Sequence, residues 1–195
     1  MVQLLLPVIE ITPEEIEALE SKLREIMTVL RERFKDVKSL WDVIFNGAHF
    51  TSAHTKYNQD PEQFTKENII VPLLEFLGYE LISEMRLPTP KGLRKPDYII
   101  SSPDGHLNIY VEAEPINKNL WQKGHGATQV RSWLISRAAK TNYGIATNGV
   151  EWILLKLDET QVDIKIVHRV NIRDLFAKIF NPHVFMDEAT LKDIA

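Results

Sequence analysis

The chain changes its hydrophobic period once, at Gly78, and that change limits what it can fold into. Before Gly78, apolar residues recur three and four apart. After it, they alternate in short runs broken by helical stretches. Helices followed by strands with a further helix among them specify a sheet that needs helices to cover it. The first helix opens on Thr12, Pro13 and Glu15, which supply an N-cap, a proline at the first helical position and a capping-box acid. Ile16, Leu19, Leu23, Ile26 and Leu30 then form a heptad-like seam, too short for a free zipper. It predicts packing on its own domain or on another subunit, and so permits a homodimer without requiring one. A second helix starts at Asp60-Pro61-Glu62-Gln63 and carries Phe64, Ile69, Ile70, Leu73, Leu74 and Leu77. Pro72 should kink or divide it, and Gly78 should stop it.

Beyond Gly78, residues 80–86 and the run Tyr98-Ile99-Ile100 read as strands. Leu87 to Lys95, with Pro88, Pro90 and Gly92, reads as a loop. From Leu107 to Glu114 the alternation is clean, with Leu107, Ile109, Val111 and Ala113 on one face and Asn108, Tyr110, Glu112 and Glu114 on the other. A helix follows over about 127–140, with Ala127, Val130, Leu134 and Ala138 inward. Tyr143–Thr147 and Glu151–Leu157 form strands turned by Asn148-Gly149. Val162, Ile164 and Ile166 predict a half-buried strand, and Asn171 caps a last helix. The expected architecture is an α/β domain with a mixed central sheet flanked by helices. It divides into an N-terminal helical extension over 1–59, a core over 60–168 and a C-terminal helical segment over 169–195.

Composition narrows the functional classes. With no cysteine, disulfides and thiolate metal sites are excluded, and a reducing, cytoplasmic setting is expected. No apolar run is long enough to cross a membrane as a helix, and the stretch from Leu4 to Ile9 is too short for a signal peptide. The formal charge of −4 hides an uneven spread. Between Arg86 and Lys140 lie nine basic and four acidic residues, a net of +5, which leaves −9 for the rest. A basic segment in an acidic chain is what phosphate binding requires, although a solvated loop region could show the same excess.

Within that segment Asp97, Glu112 and Glu114 stand out. Two residues apart on a strand, Glu112 and Glu114 emerge on one face, with backbones roughly 7 Å apart. Asp97 begins the preceding strand, and an antiparallel pairing can set it beside Glu112. Three such acids repel one another unless a cation sits among them, and hard oxygen ligands favour Mg²⁺ or Mn²⁺. Solvent-facing acids on a sheet surface are the plainer alternative. His49 and His54, five apart, lack the spacing and partners of a metal site, and His125, near the basic loop, reads as an ordinary loop histidine or, less often, as a phosphate contact.

The string Pro96-Asp97, then Glu112-Ala113-Glu114, resembles the core motif of the PD-(D/E)XK nuclease superfamily. Glu67-Asn68-Ile69-Ile70-Val71-Pro72-Leu73-Leu74-Glu75-Phe76-Leu77-Gly78-Tyr79 is similar to the opening helix of one branch, the N-terminal endonuclease domain of type I restriction enzyme R subunits and related nucleases. Tyr143-Gly144-Ile145-Ala146-Thr147-Asn148-Gly149-Val150-Glu151-Trp152 resembles that branch's strand-turn-strand. The likeness covers about 62–157.

The resemblance implies a restriction-endonuclease-like fold and a Mg²⁺- or Mn²⁺-dependent DNA endonuclease that hydrolyses phosphodiesters with metal-activated water. It also implies a restriction-modification system in which other subunits or domains supply the sequence reader and the methyltransferase or motor. Asp97 and Glu112 would be metal ligands, joined by the backbone carbonyl of Ala113 and by Glu67 directly or through water. Gln129 would position the phosphate or the water, with Trp133 one turn on where the family has Tyr. Arg94, Lys95, Lys123 and Arg131 are the expected DNA contacts. Glu114 departs from the family's usual pattern, which has Lys there to orient the nucleophile and stabilise negative charge, although some restriction enzymes of the superfamily use Glu at that position and are active. Glutamate could instead accept a proton or bind a second metal. Two readings follow: an active endonuclease using Glu114, or a catalytically inactive nuclease-fold module for nucleic-acid binding or assembly.

Overall fold

The computed structural model describes residues 12–83, 85–89, 92–101, 108–137, 141–158, 160 and 162–180, with the backbone alone described at 88, 89, 93 and 94. Leu107, Ala138 and Lys140 lie outside these residues. The expected capping box is formed. Glu15 N–H donates to Thr12 Oγ1 and Thr12 N–H to a Glu15 carboxylate oxygen, opening α1 (Pro13–Arg33). Leu23, Ile26, Met27 and Leu30 of α1 are buried. Their partners come from this chain: α2 (Val37–Ile44), Phe34, Phe50, Phe64 and the closing helix α6 (Arg173–Ile179) form one cluster with them. The seam thus serves its own domain. Ile16, at the helix start, stays 49% exposed.

The second helical region is divided as Pro72 requires. A short α3 (Pro61–Thr65) passes into a π-helical turn (Lys66–Ile70) and then α4 (Val71–Phe76), with Pro72 in the first turn of α4. Proline brings no N–H and crowds the carbonyl of the preceding turn. The wider π turn, in which Val71 N–H reaches Lys66 O, accommodates that defect.

Six strands form the mixed sheet: β1 (Glu80–Ser83), β4 (Tyr98–Ser101), β5 (Asn108–Ala113), β6 (Tyr143–Thr147), β7 (Glu151–Leu157) and β8 (Ile164–Asn171), in the order β1-β4-β5-β6-β7-β8. Neighbours are antiparallel except β5 and β6, which run parallel. A parallel pair needs a crossover, and α5 (Gly126–Ser136) provides it. The sequence's α/β reading with a helix-flanked mixed sheet holds. Leu87 to Lys95 is a correction. It contains a separate two-stranded hairpin, β2 (Leu87–Thr89) with β3 (Gly92–Arg94), because a ribbon of two edge strands tolerates the prolines that a central strand would not.

Both sheet faces are covered at β5. Tyr110 and its cross-strand partner Ile99 pack beneath Ala127, Val130 and Leu134 of α5. Ile109, Val111 and Ala113 pack with Ile100 against Ile70 and Leu74 on the opposite side. Glu112, in register with Tyr110, is therefore carried into the interior with it. β8 departs from expectation in the other direction. Instead of being half-buried, it lies at the sheet's end with Ile166, Val167 and Val170 exposed at 49%, 48% and 39%.

Candidate active site

The antiparallel register of β4 and β5 pairs Tyr98 with Val111. One step back along β4 therefore sets Asp97 across from Glu112. Asp97 Oδ2 accepts a hydrogen bond from Ala113 N–H at 2.8 Å, and its Oδ1 lies 2.5 Å from Lys66 Nζ. Lys66 also reaches Glu62 Oε1 at 2.6 Å. It comes from the π turn and is only 9% exposed. Burial alone would lower the pKa of its ammonium. The Asp97 carboxylate, aided by Glu62, outweighs that and holds it above the ordinary lysine range.

Glu112 is 4% exposed and accepts a short hydrogen bond at Oε1 from the Trp133 indole N–H. Burial, followed by the charge of Asp97, pushes its pKa up to about 9, against the opposing effects of the Trp133 bond and Lys66. At neutral pH and without a cation, this carboxyl holds its proton.

Glu114 is just as buried, at 3%, but is differently served. Its Oε1 accepts from Gly126 N–H at 2.8 Å, and His125 Nδ1 lies 3.1 Å from Oε2. Its own N–H donates to Thr147 O on β6. Gly126 is required here. Its φ is +40°, and a Cβ would stand 2.8 Å from Leu120 O, so only glycine brings this N–H onto the carboxylate. Glu114 therefore anchors the first turn of α5, where the helix dipole favours an anion.

The loop leading to α5 is fixed from the other side. Asn117 donates to Val43 O and Ala48 O and accepts from Arg173 Nη2, while Ile116 N–H donates to Thr65 Oγ1. The N-terminal helices thereby hold the segment that follows the carboxylates.

Glu67 is exposed, with its two oxygens bound by Gln59 Nε2 at 2.6 Å and Gln63 Nε2 at 2.7 Å. Gln129 is half-buried, one turn before Trp133 on the same helix face, so it sits between the contacts to Glu112 and Glu114. Lys95 and Lys123 are exposed, and Arg94 ends β3. Arg131 is engaged by Asp163 Oδ1 at 3.0 Å and by Val162 O. Lys66 is the residue that sequence reasoning missed at this site, although its pairing with Glu62 at helical spacing was visible. His125, weighed as a loop histidine or a phosphate contact, is instead a partner of Glu114.

Among the described residues no three acidic or histidine side chains are grouped as a metal site. The donors that fit a hard divalent cation are the carboxyl oxygens of Asp97 and Glu112, and the Asp97 charge is, after burial, what opposes ionisation of Glu112 in the absence of one. Glu114 is spent on α5.

No helix among the described residues is long and apolar enough to cross a membrane. No family model matches the chain. A Methanocaldococcus jannaschii protein, named as a candidate type II restriction enzyme and methyltransferase, is 38% identical over 164 residues. That match covers 84% of this chain but only 12% of the relative. A solved complex of DrdV with DNA overlaps 88% of this chain and 14% of that one, with 15% identity and a TM-score of 0.35.

Proposed function

We propose that this chain is a restriction-system nuclease domain, a Mg²⁺- or Mn²⁺-dependent DNA endonuclease of the PD-(D/E)XK type acting in the cytoplasm. The observation that carries the reading is Asp97 set against the buried, repelled carboxyl of Glu112 on one strand pair. The likeness to a relative named for restriction and methylation agrees with it.

Asp97, Glu112 and the Ala113 carbonyl would hold the cation, with Glu67 as an outer ligand through water. A cation held there would lower the pKa of a water and offset charge on the phosphate. Trp133 holds Glu112 and Glu114 holds the first turn of α5, the helix from which Gln129 would meet the phosphate. Arg94, Lys95, Lys123 and Arg131 are the proposed DNA contacts. Other subunits or domains of the system would read the sequence and methylate.

Supercoiled plasmid incubated with the protein and Mg²⁺ or Mn²⁺ should be nicked or linearised. Asp97→Ala should lose at least about 10²-fold of the rate. A second reading, an inactive module that only binds nucleic acid, is favoured by the commitment of Glu114 to α5. Duplex affinity with no cleavage by the parent in either metal would establish it and discard the first.

A further inference from the structure

Among the described residues the buried ionisable side chains of Lys, Arg, Asp or Glu are three: Lys66, Glu112 and Glu114. Two carry carboxyl groups, Glu112 on β5 and Glu114 just past its end. The third is a lysine that the motif does not contain, brought in from the π turn 31 residues before Asp97.

A buried ammonium is costly, and a buried ion pair is a poor source of stability, because apolar residues of similar volume in place of both partners often serve as well. Asp97 has a second hydrogen bond, from Ala113 N–H, so it does not depend on Lys66 to be placed. Lys66 thus has little structural reason to be where it is. An ammonium has three N–H groups. Asp97 and Glu62 take two, leaving one for an incoming oxygen.

We infer that Lys66 is the cation this site turns toward the phosphate of DNA, supplying the charge that Glu114 cannot. The assignment rests on the proposed nuclease function and deepens it. Lys66 acts by hydrogen bonding to a non-bridging phosphate oxygen, and no bond to the lysine forms or breaks. Glu114, locked beneath α5, is then a positioning residue for the helix that carries Gln129 and Trp133. The division explains why a glutamate can stand where a lysine would be expected. The positive charge reaches Asp97 from the helical layer instead of from the strand.

The test compares the parent with Lys66→Met, Lys66→Arg and Asp97→Ala, using plasmid cleavage, Mn²⁺ titration of the protein alone and thermal melting. Lys66→Met should lower kcat about 100-fold or more with KM for plasmid changed only a few-fold. It should bind Mn²⁺ at least as tightly as the parent, because a competing cation has been removed, and it should melt near the parent. Lys66→Arg should keep more activity than Lys66→Met, and Asp97→Ala should lose both cleavage and Mn²⁺ binding. Cleavage by Lys66→Met within a few-fold of the parent would overturn the assignment while leaving the nuclease reading intact. A Lys66→Met protein that melts far below the parent, or no longer binds Mn²⁺, would make Lys66 a structural prop and overturn it equally. An inactive parent defeats the nuclease reading itself, and this assignment with it.

Discussion

Glu112 and Glu114 are two residues apart, emerge on the same face of the sheet and are almost equally buried, yet the protein treats them in opposite ways. Glu112 faces another carboxylate across the strand pair and receives one indole hydrogen bond. Glu114 faces a helix N-terminus and receives a backbone N–H and an imidazole. One is left electrostatically unsettled and the other is neutralised by fixed dipoles. Burial alone does not make a carboxylate reactive; the partners that share the burial do. The Asp97–Glu112 end is suited to taking up a cation, and the Glu114 end to holding a helix still.

The strongest way to break that comparison is to put a lysine at position 114. Glu114→Lys would bury a cation against the positive end of α5, with Gly126 N–H left unpaired. We expect a loss of about 3–5 kcal/mol in urea denaturation, or failure to fold. A stable, more active Glu114→Lys protein would show that Glu114 is no anchor.

A smaller effect distinguishes Glu112. In metal-free protein the unfolded chain loses the Glu112 proton near pH 4.5, whereas the folded chain keeps it until about pH 9. The native state binds more protons across that window, so stability falls as pH rises through it. Lys66, held above its ordinary pKa, keeps its contribution throughout the same range. Glu112→Gln should flatten the slope, exceed the parent in stability at pH 8 and lose Mn²⁺ binding. An unchanged slope in denaturation measured from pH 5 to 9 would refute this.

Trp133→Phe removes the one hydrogen bond that lowers the Glu112 pKa. It should cost about 1 kcal/mol and extend the loss of stability to still higher pH, with its onset unchanged. The smallest effect is expected from His125→Ala. The His125 ring is 36% exposed and Gly126 N–H still holds Glu114, so the loss should stay below about 1 kcal/mol by thermal melting. A larger loss than for Trp133→Phe would reverse the order of the two ends.

Much of the fold could be read from local signals. The capping box at Thr12, the break at Pro72, the alternation of β5 and the Asn148-Gly149 turn are short-range chemistry, and short-range chemistry is written in consecutive residues. The pairing of Asp97 with Glu112 followed from one hairpin. Lys66 did not follow, because its approach to Asp97 depends on how a helix docks against a sheet. Nor did the fate of Glu114, which depends on a loop returning α5 to the strand it left. The exposure of β8 escaped for a similar reason. Its alternation is that of a half-buried strand, and only the sheet order reveals that it lies at the end of the sheet.

That strand has a practical consequence. β8 is eight residues long, lies at the end of the sheet and shows Ile166, Val167 and Val170 to solvent. Such an edge is a template for another chain's backbone, with Lys165 and Arg169 as the charges that discourage it. Concentrated protein, above all in high salt where those charges are screened, should self-associate edge to edge, so the ionic strength of storage decides how much of it stays dispersed.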